Sequence, residues 1–474
     1  MKLWAIIPEL ILIVLCVALV PLAGWMRGRW RQVPGWIALI GLAACMAFTA
    51  RMLGWAPFTA FGGVYALDPF AAVFKLLIEL AAFITVILLM THFRGHVQAT
   101  HAPVAVLFAT LGAVALVSSN DLVTIVLFIQ MMSMASYVLV SLERSSRRAN
   151  EATLKYFIYA AVTLAVMAYG LSFLYGLTGS LDLRAIGAAL GGADKLWVAL
   201  ALALILVGYG FEVTMAPFHV WAPDVFAGTS APVAGFLSVA PKIAAMAALL
   251  RFVLVALPDG LVGWPWWIAG GAVVSMTLGN LVALRQTRLK RLLAYSTIAQ
   301  SGYVLAAVAV AGRTPGAVPA IVYYLAAYLF MNLGAFAVVA HLERAVGTDR
   351  FDALRGLGRR APWAAGLLAL FLLSLAGIPP LAGFMGKVLV LLRIVDGGML
   401  WLAIAAAVNM AIALYYYMHV IAQLYLHPAQ HDFALPPRAG WTAGYALCAA
   451  GVLALGIFPW QFVALAQLAR HWLP

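Results

Sequence analysis

Five ionisable side chains lie inside long apolar stretches of this chain of 474 residues. The cations are Lys75, Lys242 and Lys387, and the acids are Glu79 and Glu212. A charge in the middle of a membrane is costly unless it is paired or hydrated. Five such groups in one chain therefore indicate a polar interior path along which protons can move. The alternative for each group is a structural ion pair or a side chain that snorkels to the membrane surface.

Lys75 and Glu79 are four residues apart, so they share one helix face and can pair there. This geometry fits a structural lock as well as a proton relay. Arg251 lies near the end of an apolar stretch, and we expect its side chain to snorkel.

Histidines and hydroxyl groups near these charges are further candidates. His219 and His419 can titrate near neutral pH and relay protons, although a packing role fits each of them equally well. Hydroxyl groups can fill gaps in a proton path or make helix-packing hydrogen bonds instead. The hydroxyl candidates are Thr214, Ser238, Ser296, Thr297 and Tyr303.

The composition indicates that lipid surrounds these groups. Hydrophobic residues make up 65% of the chain and charged residues 9%, whereas soluble proteins carry about 25% charged residues. A membrane-spanning helix needs about 20 consecutive apolar residues. Fourteen such stretches lie at residues 3–23, 35–53, 69–91, 102–118, 121–142, 154–176, 197–218, 231–254, 262–284, 289–311, 316–341, 361–392, 399–426 and 441–468. They are continuous rather than alternating, which predicts an all-α membrane protein without strands.

Prolines interrupt two of these spans. The seventh ends in a segment with Pro217 and Pro223, and the twelfth contains Pro379 and Pro380. Proline removes a backbone donor and breaks a helix. Irregular backbone at membrane depth persists only where it is buried in protein or lines a hydrated cavity. The two breaks therefore point to the same polar interior as the charges do.

The two breaks are five spans apart, which suggests a repeat of five helices. Spans 4–8 (residues 102–254) and spans 9–13 (255–426) then form two units, each broken at its fourth helix. Residues 1–101 hold spans 1–3, and residues 427–474 hold span 14. Units of five helices have opposite orientations in the membrane, as in inverted-repeat transporters. The alternative is a pair of unrelated proline kinks.

The basic residues indicate the orientation of the chain. Its formal net charge is +13. Odd-numbered loops carry eighteen of the 29 Lys and Arg residues, the opposite side carries eight, and the other three are the lysines inside spans. The positive-inside rule then places both termini outside the cytoplasm. The basic excess also favours contact with anionic lipid, and we expect no nucleic-acid partner.

No residue pattern predicts a cofactor or metal site in this chain. Cys16, Cys45 and Cys448 lie inside apolar stretches, and no CxxC spacing occurs. No glycine-rich phosphate-binding loop is present. We therefore expect that the chain itself binds no redox cofactor, nucleotide or metal ion.

Several motifs occur in the order and spacing of one known family. The longest is APFHVWAPDVFAGTSAPVAGFLSVAPKIAAMAALLR at residues 216–251. NEATLKYF (150–157), GNLVALRQTRLKRLLAYSTIAQSGY (279–303) and LSLAGIPPLAGFMGK (373–387) agree as well. Over roughly residues 65–426 the chain resembles the antiporter-like membrane subunits of bacterial NADH–quinone oxidoreductase, respiratory complex I. The PDV and SVAPK segments resemble the subunit N branch of that family.

The resemblance implies fourteen helices, with helices 7 and 12 broken, around a hydrated axis that carries protons. The family's lysines on helices 8 and 12 match Lys242 and Lys387. Its glutamate on helix 5 and its lysine on helix 7 are replaced here by Gln130 and Glu212. Gln300 takes the place of a family histidine on helix 10.

These replacements change the chemistry of the axis. Gln130 cannot titrate, and Glu212 becomes neutral when it binds a proton, whereas a lysine becomes charged. We expect Glu212 and Lys242 to form a replacement pair, and Glu79 to supply the missing acid of helix 5. The predicted proton pathway consists of Glu212, Lys242, Lys387, Gln130, Gln300, Lys75, Glu79, His219 and His419.

The resemblance implies a proton-translocating subunit in the bacterial inner membrane. FMN, iron–sulfur clusters and quinone are then expected in partner subunits rather than in this chain. The neighbours expected within the membrane are an M-like antiporter subunit and small K- and J-like subunits. One alternative is a subunit of a multisubunit cation/proton antiporter or of a membrane-bound hydrogenase, and the PDV and SVAPK segments argue against it. The other is a complex I subunit with altered or lost pumping because of Gln130 and Glu212. The retained Lys242 and Lys387 argue against complete loss.

Overall fold

A computed structural model of the chain describes residues 6–143, 146–258, 260–428, 435 and 439–470. Lys2, Arg144 and Arg438, which entered the count of basic residues, lie outside this part. The described residues are predominantly α-helical, which confirms the all-α membrane fold.

Three helices precede the first predicted unit. They are α1 (Ile7–Trp25), α2 (Val33–Met52) and α3 (Pro69–His92). An antiparallel hairpin of β1 (Phe58–Ala60) and β2 (Tyr65–Leu67) lies between α2 and α3. The prediction of a chain without strands is wrong here, because strands of three residues are too short to produce an alternating pattern.

Helices α4 to α10 occupy the first predicted unit. Their bounds are α4 (Gln98–Val117), α5 (Leu122–Val140), α6 (Arg147–Thr178), α7 (Leu183–Leu190), α8 (Lys195–Glu212), α9 (Ala222–Gly228) and α10 (Ala231–Val255). α7 is a short connecting helix that the sequence did not predict. α8 and α9 are the two halves of the broken seventh span.

Helices α11 to α18 occupy the second unit, and two more follow it. Their bounds are α11 (Trp264–Ala283), α12 (Leu289–Val308), α13 (Ala317–Val346), α14 (Phe351–Leu354), α15 (Leu357–Arg360), α16 (Pro362–Ala376), α17 (Ala382–Asp396), α18 (Leu400–Tyr425), α19 (Ala439–Ile457) and α20 (Pro459–Gln467). α16 and α17 are the two halves of the broken twelfth span.

Twelve of the described helices are long and apolar enough to cross a membrane by themselves. The other two predicted spans correspond to α12 and to the α16–α17 pair. α12 has 20 residues, but its many polar side chains lower its hydropathy. α16 and α17 have 15 residues each, or about 22 Å of helix. Only the pair together can therefore cross a bilayer core of about 30 Å.

The predicted breaks are present, with one correction. Pro217 lies between α8 and α9, and Pro379 and Pro380 lie between α16 and α17. Pro223 lies in the first turn of α9, where a proline is tolerated because the first N–H groups of a helix have no partner. Pro223 thus begins the second half-helix, and the prediction that it breaks the span is wrong.

Aspartates fix several helix starts on the side of the membrane that carries fewer basic residues. The carboxylate of Asp68 accepts a hydrogen bond from the Ala71 amide at 2.7 Å. Asp121, Asp182 and Asp194 cap α5, α7 and α8 in the same way. A capping carboxylate satisfies a free N–H group and lies at the positive end of the helix dipole. These acids therefore have a structural role.

The packing is consistent with two units. α4 packs on α5 and α6 on α8 in the first, as α11 packs on α12 and α13 on α16 in the second. α10 and α13 lie at the centre and contact each other. The division at residue 254 and the inverted orientation of the units stay predictions.

A buried ion pair joins the N-terminal helices to this centre. Arg251 of α10 makes two hydrogen bonds of 2.9 Å to the carboxylate of Asp68, at the start of α3. Their side chains are 2% and 0% exposed. The expectation that Arg251 snorkels is wrong, because Asp68 supplies a charged partner inside the protein.

Candidate functional site

Lys387 lies on α17, just after the second break, and is buried. Its Nζ donates hydrogen bonds to the carbonyl oxygens of Leu375 and Ala376, at 2.8 Å each. These carbonyls belong to the last turn of α16, where the helix offers no N–H partners and its dipole is negative. The ring of Tyr303 lies 5.4 Å from the same nitrogen, within range of a cation–π interaction. The broken helix thus forms a site for a charged lysine inside the membrane.

Gly377 makes this contact possible. It ends α16 with a φ of 90°, a conformation that glycine adopts readily. A Cβ at this position would lie 2.8 Å from Cδ and 3.3 Å from Nζ of Lys387. The missing side chain therefore leaves room for the ammonium group against the helix end.

Lys242 lies on α10 and is also buried. Its Nζ donates a hydrogen bond to Oγ1 of Thr214, in the first break. Thr214 has a φ of 57°, which is rare for a β-branched residue and typical of strained functional segments. Its hydroxyl lies 3.4 Å from Oγ of Ser301 on α12. We define Lys242, Thr214 and Ser301 as the Lys242 group.

A second set of hydrogen bonds lies beside this group. Asn332 of α13 donates to Oγ of Ser238 at 2.6 Å and to the hydroxyl of Tyr328 at 3.0 Å. Tyr328 donates to Oγ1 of Thr297 at 2.9 Å. Oδ1 of Asn332 is buried and has no hydrogen-bond partner among the described residues, as is typical of a water site. We define these four residues as the middle group.

A third set surrounds the second lysine. Nε2 of Gln300 donates to a carbonyl of the last turn of α16 at 3.2 Å, and Lys387 donates to the same oxygen. Nε2 also lies 3.3 Å from the hydroxyl of Tyr417, which is 2.5 Å from Oγ of Ser296. Tyr324 donates to Oε1 of Gln300. We define these five residues as the Lys387 group.

α12 joins the three groups because it contributes to each of them. Its contributing residues lie within six positions and are Ser296, Thr297, Gln300 and Ser301. The middle group and the Lys242 group are one helical turn apart on two helices, from Thr297 to Ser301 and from Ser238 to Lys242. Side chains one turn apart are separated by about 5–6 Å, a gap that one water molecule can bridge. The middle group and the Lys387 group are also about one turn apart, from Tyr328 to Tyr324 on α13 and from Thr297 to Gln300 on α12. A nearly continuous polar line therefore connects the two buried lysines.

Glu212 is not part of this line. It is the last residue of α8, and its carboxylate accepts a hydrogen bond from Oγ of Ser133 on α5 at 3.0 Å. Lys242 donates to Thr214 instead. The expected pair of Glu212 and Lys242 is therefore not formed in this conformation.

Gln130 precedes Ser133 by one turn of α5 and makes no hydrogen bond to Glu212 in the described structure. It is half-buried and lines an apolar groove of about 1110 Å³ on the outer face of α1, α4, α5 and α6. The position of the family's helix 5 acid is thus occupied by a neutral side chain that borders this groove.

Lys75 and Glu79 also bind other partners than expected. Nζ of Lys75 lies 2.6 Å from Oε1 of Glu9 on α1. Glu79 accepts a hydrogen bond from Thr49 of α2 at 2.9 Å. Lys75 therefore faces α1 and Glu79 faces α2, and the structure does not bring Glu79 to the helix 5 position.

The two histidines lie in different surroundings. His219 is buried in the first break, and its Nδ1 has no hydrogen-bond partner among the described residues. His419 is exposed on α18, where its ring stacks on Tyr415 at 6.3 Å. The structure therefore places His219 near the Lys242 group and His419 on the outer surface.

A cavity of about 660 Å³ opens on the side that carries most basic residues. Lys290, at the start of α12, lines it and lies 2.6 Å from Glu343 and 2.9 Å from the carbonyl of Thr229. The nearby His92, whose Nε2 lies 3.8 Å from Oε1 of Glu143, lowers the pKa of Glu143 on the same wall below its usual 4.5, although burial opposes this effect. This inner cavity therefore carries a carboxylate at neutral pH.

A second cavity, of about 520 Å³, opens beyond the other end of α12. Arg393 and Asp396 line it and form an ion pair of 2.8 Å. Leu389, two residues after Lys387 on α17, also lines this outer cavity. The outer cavity thus extends to within one turn of Lys387.

Sequence reasoning missed several members of these groups. Tyr324, Tyr328 and Asn332 recur every four residues on α13, a polar stripe on one helix face that was visible in the sequence. Ser133 and Glu9, which bind Glu212 and Lys75 outside these groups, had no such signal. Their partners lie on helices that are distant in sequence.

Comparison with known proteins places this geometry in a family. Residues 119–413 match the family described as NADH:quinone oxidoreductase/Mrp antiporter, TM. The chain is 36% identical to NADH-quinone oxidoreductase subunit N of Trichlorobacter lovleyi, over 98% of this chain and 96% of that protein. The chain belongs to the NADH:quinone oxidoreductase/Mrp antiporter family. The matched residues include both lysines of the polar line and both breaks.

Solved structures share the fold of this chain at different levels of sequence identity. A chain of respiratory complex I from Thermus thermophilus with bound aureothin has a TM-score of 0.84 and 34% identity, covering 97% of this chain and 99% of that chain. A chain of the Mrp complex from Dietzia sp. DQ12-45-1b has a TM-score of 0.85 but 21% identity, covering 99% of this chain and 97% of that chain. The predicted resemblance to subunit N is confirmed by the higher identities of the first structure and of the curated relative.

Proposed function

We propose that this chain conducts protons across the bacterial inner membrane as a subunit of a complex I-type NADH–quinone oxidoreductase. In this proposal, electron transfer takes place in partner subunits that hold FMN, iron–sulfur clusters and quinone. An M-like antiporter subunit and small K- and J-like subunits are the expected membrane neighbours. The bias of basic residues supports an orientation with both termini outside the cytoplasm.

The polar line between Lys242 and Lys387 is the observation that carries this proposal. Both lysines are buried beside broken helices, each within its own hydrogen-bonded group, and the middle group lies between them. Hydroxyl, amide and water chains of this kind can transfer protons between titratable groups. A purely structural role requires paired charges, but the described structure gives neither lysine an acidic partner.

The second broken helix provides a means of releasing the proton. The carbonyl end of α16 stabilises the charged form of Lys387 by direct hydrogen bonds and by its dipole. When the ammonium group moves away from this end, that stabilisation is lost and the proton can leave toward the outer cavity. Protons enter from the inner cavity, whose ionised Glu143 attracts them.

Replacing each lysine with methionine in the assembled complex tests this function. We expect Lys242→Met and Lys387→Met to lower the number of protons moved per quinone reduced in membrane vesicles, because methionine fills the space without titrating. Lys195→Met, at the exposed start of α8, is the matched control and should keep the normal ratio. Unchanged ratios in both buried variants would contradict the proposal. Proton flux that depends on a cation gradient without quinone reduction would favour an antiporter.

A subunit with altered pumping is a second candidate, because Gln130 and Glu212 do not form the family's ion pair. We expect Glu212 to take part in proton transfer through Ser133, so that Glu212→Gln lowers the proton ratio less than Lys242→Met does. Equal ratios in Glu212→Gln and the unchanged chain would remove Glu212 from the pathway. If Glu212→Gln, Lys242→Met and Lys387→Met all keep the proton ratio of the unchanged chain, a subunit that has lost pumping is favoured.

A further inference from the structure

A separate set of ionisable side chains lies in the three N-terminal helices. Glu9 is 5% exposed, and Lys75 and Glu79 are 0% exposed. Tyr65 of the hairpin donates a hydrogen bond to Oε1 of Glu9 at 2.7 Å, and Nζ of Lys75 lies 2.6 Å from the same oxygen. We define Glu9, Tyr65, Lys75 and Glu79 as the N-terminal cluster.

The cluster contains two acids and one cation, and Glu9 binds that cation. Glu79 keeps only a neutral partner, the hydroxyl of Thr49. The second carboxylate oxygens of Glu9 and Glu79 are buried and have no hydrogen-bond partner among the described residues. An ionised carboxylate in such surroundings is costly because it has lost water without gaining a cation.

The neighbouring helices do not supply the missing charge. Among the described residues, Glu9 and Lys75 are the charged groups that act on Glu79, and Cys45 of α2 is the nearby thiol. Arg251 reaches α3 from α10, but both of its terminal nitrogens bind Asp68. No further cation of the described residues balances the cluster, so a bound proton is the source of positive charge that this part of the chain leaves open.

We propose that the N-terminal cluster is a proton-binding site that holds one exchangeable proton on Glu79. The proton can pass from the Glu79 carboxyl group to the Glu9 carboxylate while Lys75 stays charged, so that the net charge of the cluster remains zero. Glu9 lies in the first turn of α1, and Tyr65 lies in the hairpin that precedes α3. The cluster thus leads from one membrane surface to Glu79, one turn deeper than Lys75. It is separate from the line between Lys242 and Lys387.

Infrared spectroscopy of the full chain with isotope-labelled glutamate tests this site. A protonated carboxyl group absorbs as a C=O stretch that an ionised carboxylate lacks. We expect Glu79→Gln to remove one such band at neutral pH, and the same band of the unchanged chain to shift in D₂O because its proton exchanges. Lys75→Met should add one band, since Glu9 then loses its cation.

Glu151→Gln, an exposed acid on α6, is the matched control and should leave the carboxyl bands unchanged. If Glu79→Gln does not fold, Thr49→Val keeps the test open, because loss of the hydroxyl donor should raise the frequency of the Glu79 band. The proposal is overturned if no carboxyl band depends on Glu79 or Thr49, or if that band does not respond to D₂O. These outcomes do not depend on proton pumping through Lys242, so the two proposals can fail independently.

Discussion

At the scale of single residues, the site depends on side chains that bind the ends of broken helices. Lys387 binds the carbonyl end of α16, and Lys242 binds the hydroxyl of Thr214 in the other break. A helix end offers partners that a continuous helix does not have. The proline breaks therefore provide the hydrogen-bond partners of the two buried lysines.

Gly377→Ala, compared with a control glycine, should distinguish the role of the Lys387 contact in proton transfer from its role in the stability of the fold. A left-handed residue with a side chain costs about 1–2 kcal/mol, and the new Cβ would also displace the Lys387 ammonium group. We expect a lower proton ratio in vesicles as well as a lower unfolding temperature. Gly347→Ala is the matched control, because Gly347 has a φ of 76° and an added Cβ would meet no atom within 4 Å. A normal proton ratio in Gly377→Ala would show that the contact is dispensable.

The sequence identified those site residues whose charged side chains are rare inside a membrane. Lys242 and Lys387 stood out because a lysine in an apolar stretch is costly. Their partners did not, since a backbone carbonyl or a threonine in a break becomes a ligand only after the chain folds. The prediction that Lys75 pairs with Glu79 was wrong for the same reason. Its actual partner, Glu9, is 66 positions away in sequence and comes close only in the folded chain.

At the scale of elements, the N-terminal helices are tied to the centre by Asp68 and Arg251. This bidentate pair is buried and joins the start of α3 to α10. The spans, the two breaks and the class of the fold followed from hydropathy and proline positions. The short hairpin and α7 did not, because elements of three to eight residues carry too little pattern.

Arg251→Met should strongly destabilise the fold. Removing one partner of a buried pair leaves an uncompensated charge and costs about 3–5 kcal/mol. Denaturant unfolding of the solubilised chain measures this loss. Arg313→Met, at an exposed arginine, should change the free energy of unfolding by less than about 0.5 kcal/mol. Similar losses in the two variants would mean that the pair does not hold α3 to α10.

At the scale of the whole molecule, the two membrane faces differ in their basic residues, and a cavity opens on each of them. The inner cavity lies on the face with more basic residues, and the outer cavity lies beyond the other end of α12. Proton movement from one to the other requires the orientation that the charge bias predicts.

Cysteine labelling measures that orientation. The native Cys16, Cys45 and Cys448 are buried, so an added exposed cysteine should react alone. We expect Glu151→Cys to react with a membrane-impermeant thiol reagent from the cytoplasmic side, and Lys195→Cys from the opposite side. The reverse pattern would invert the direction assigned to the two cavities.

The most direct test of the pathway is an experimental structure of the assembled complex at a resolution that shows ordered water. We expect water molecules within hydrogen-bond distance in the one-turn gaps between Thr297 and Ser301 and between Ser238 and Lys242, and one at Oδ1 of Asn332. A dry interior, with apolar side chains packed into both gaps, would contradict proton conduction between Lys242 and Lys387.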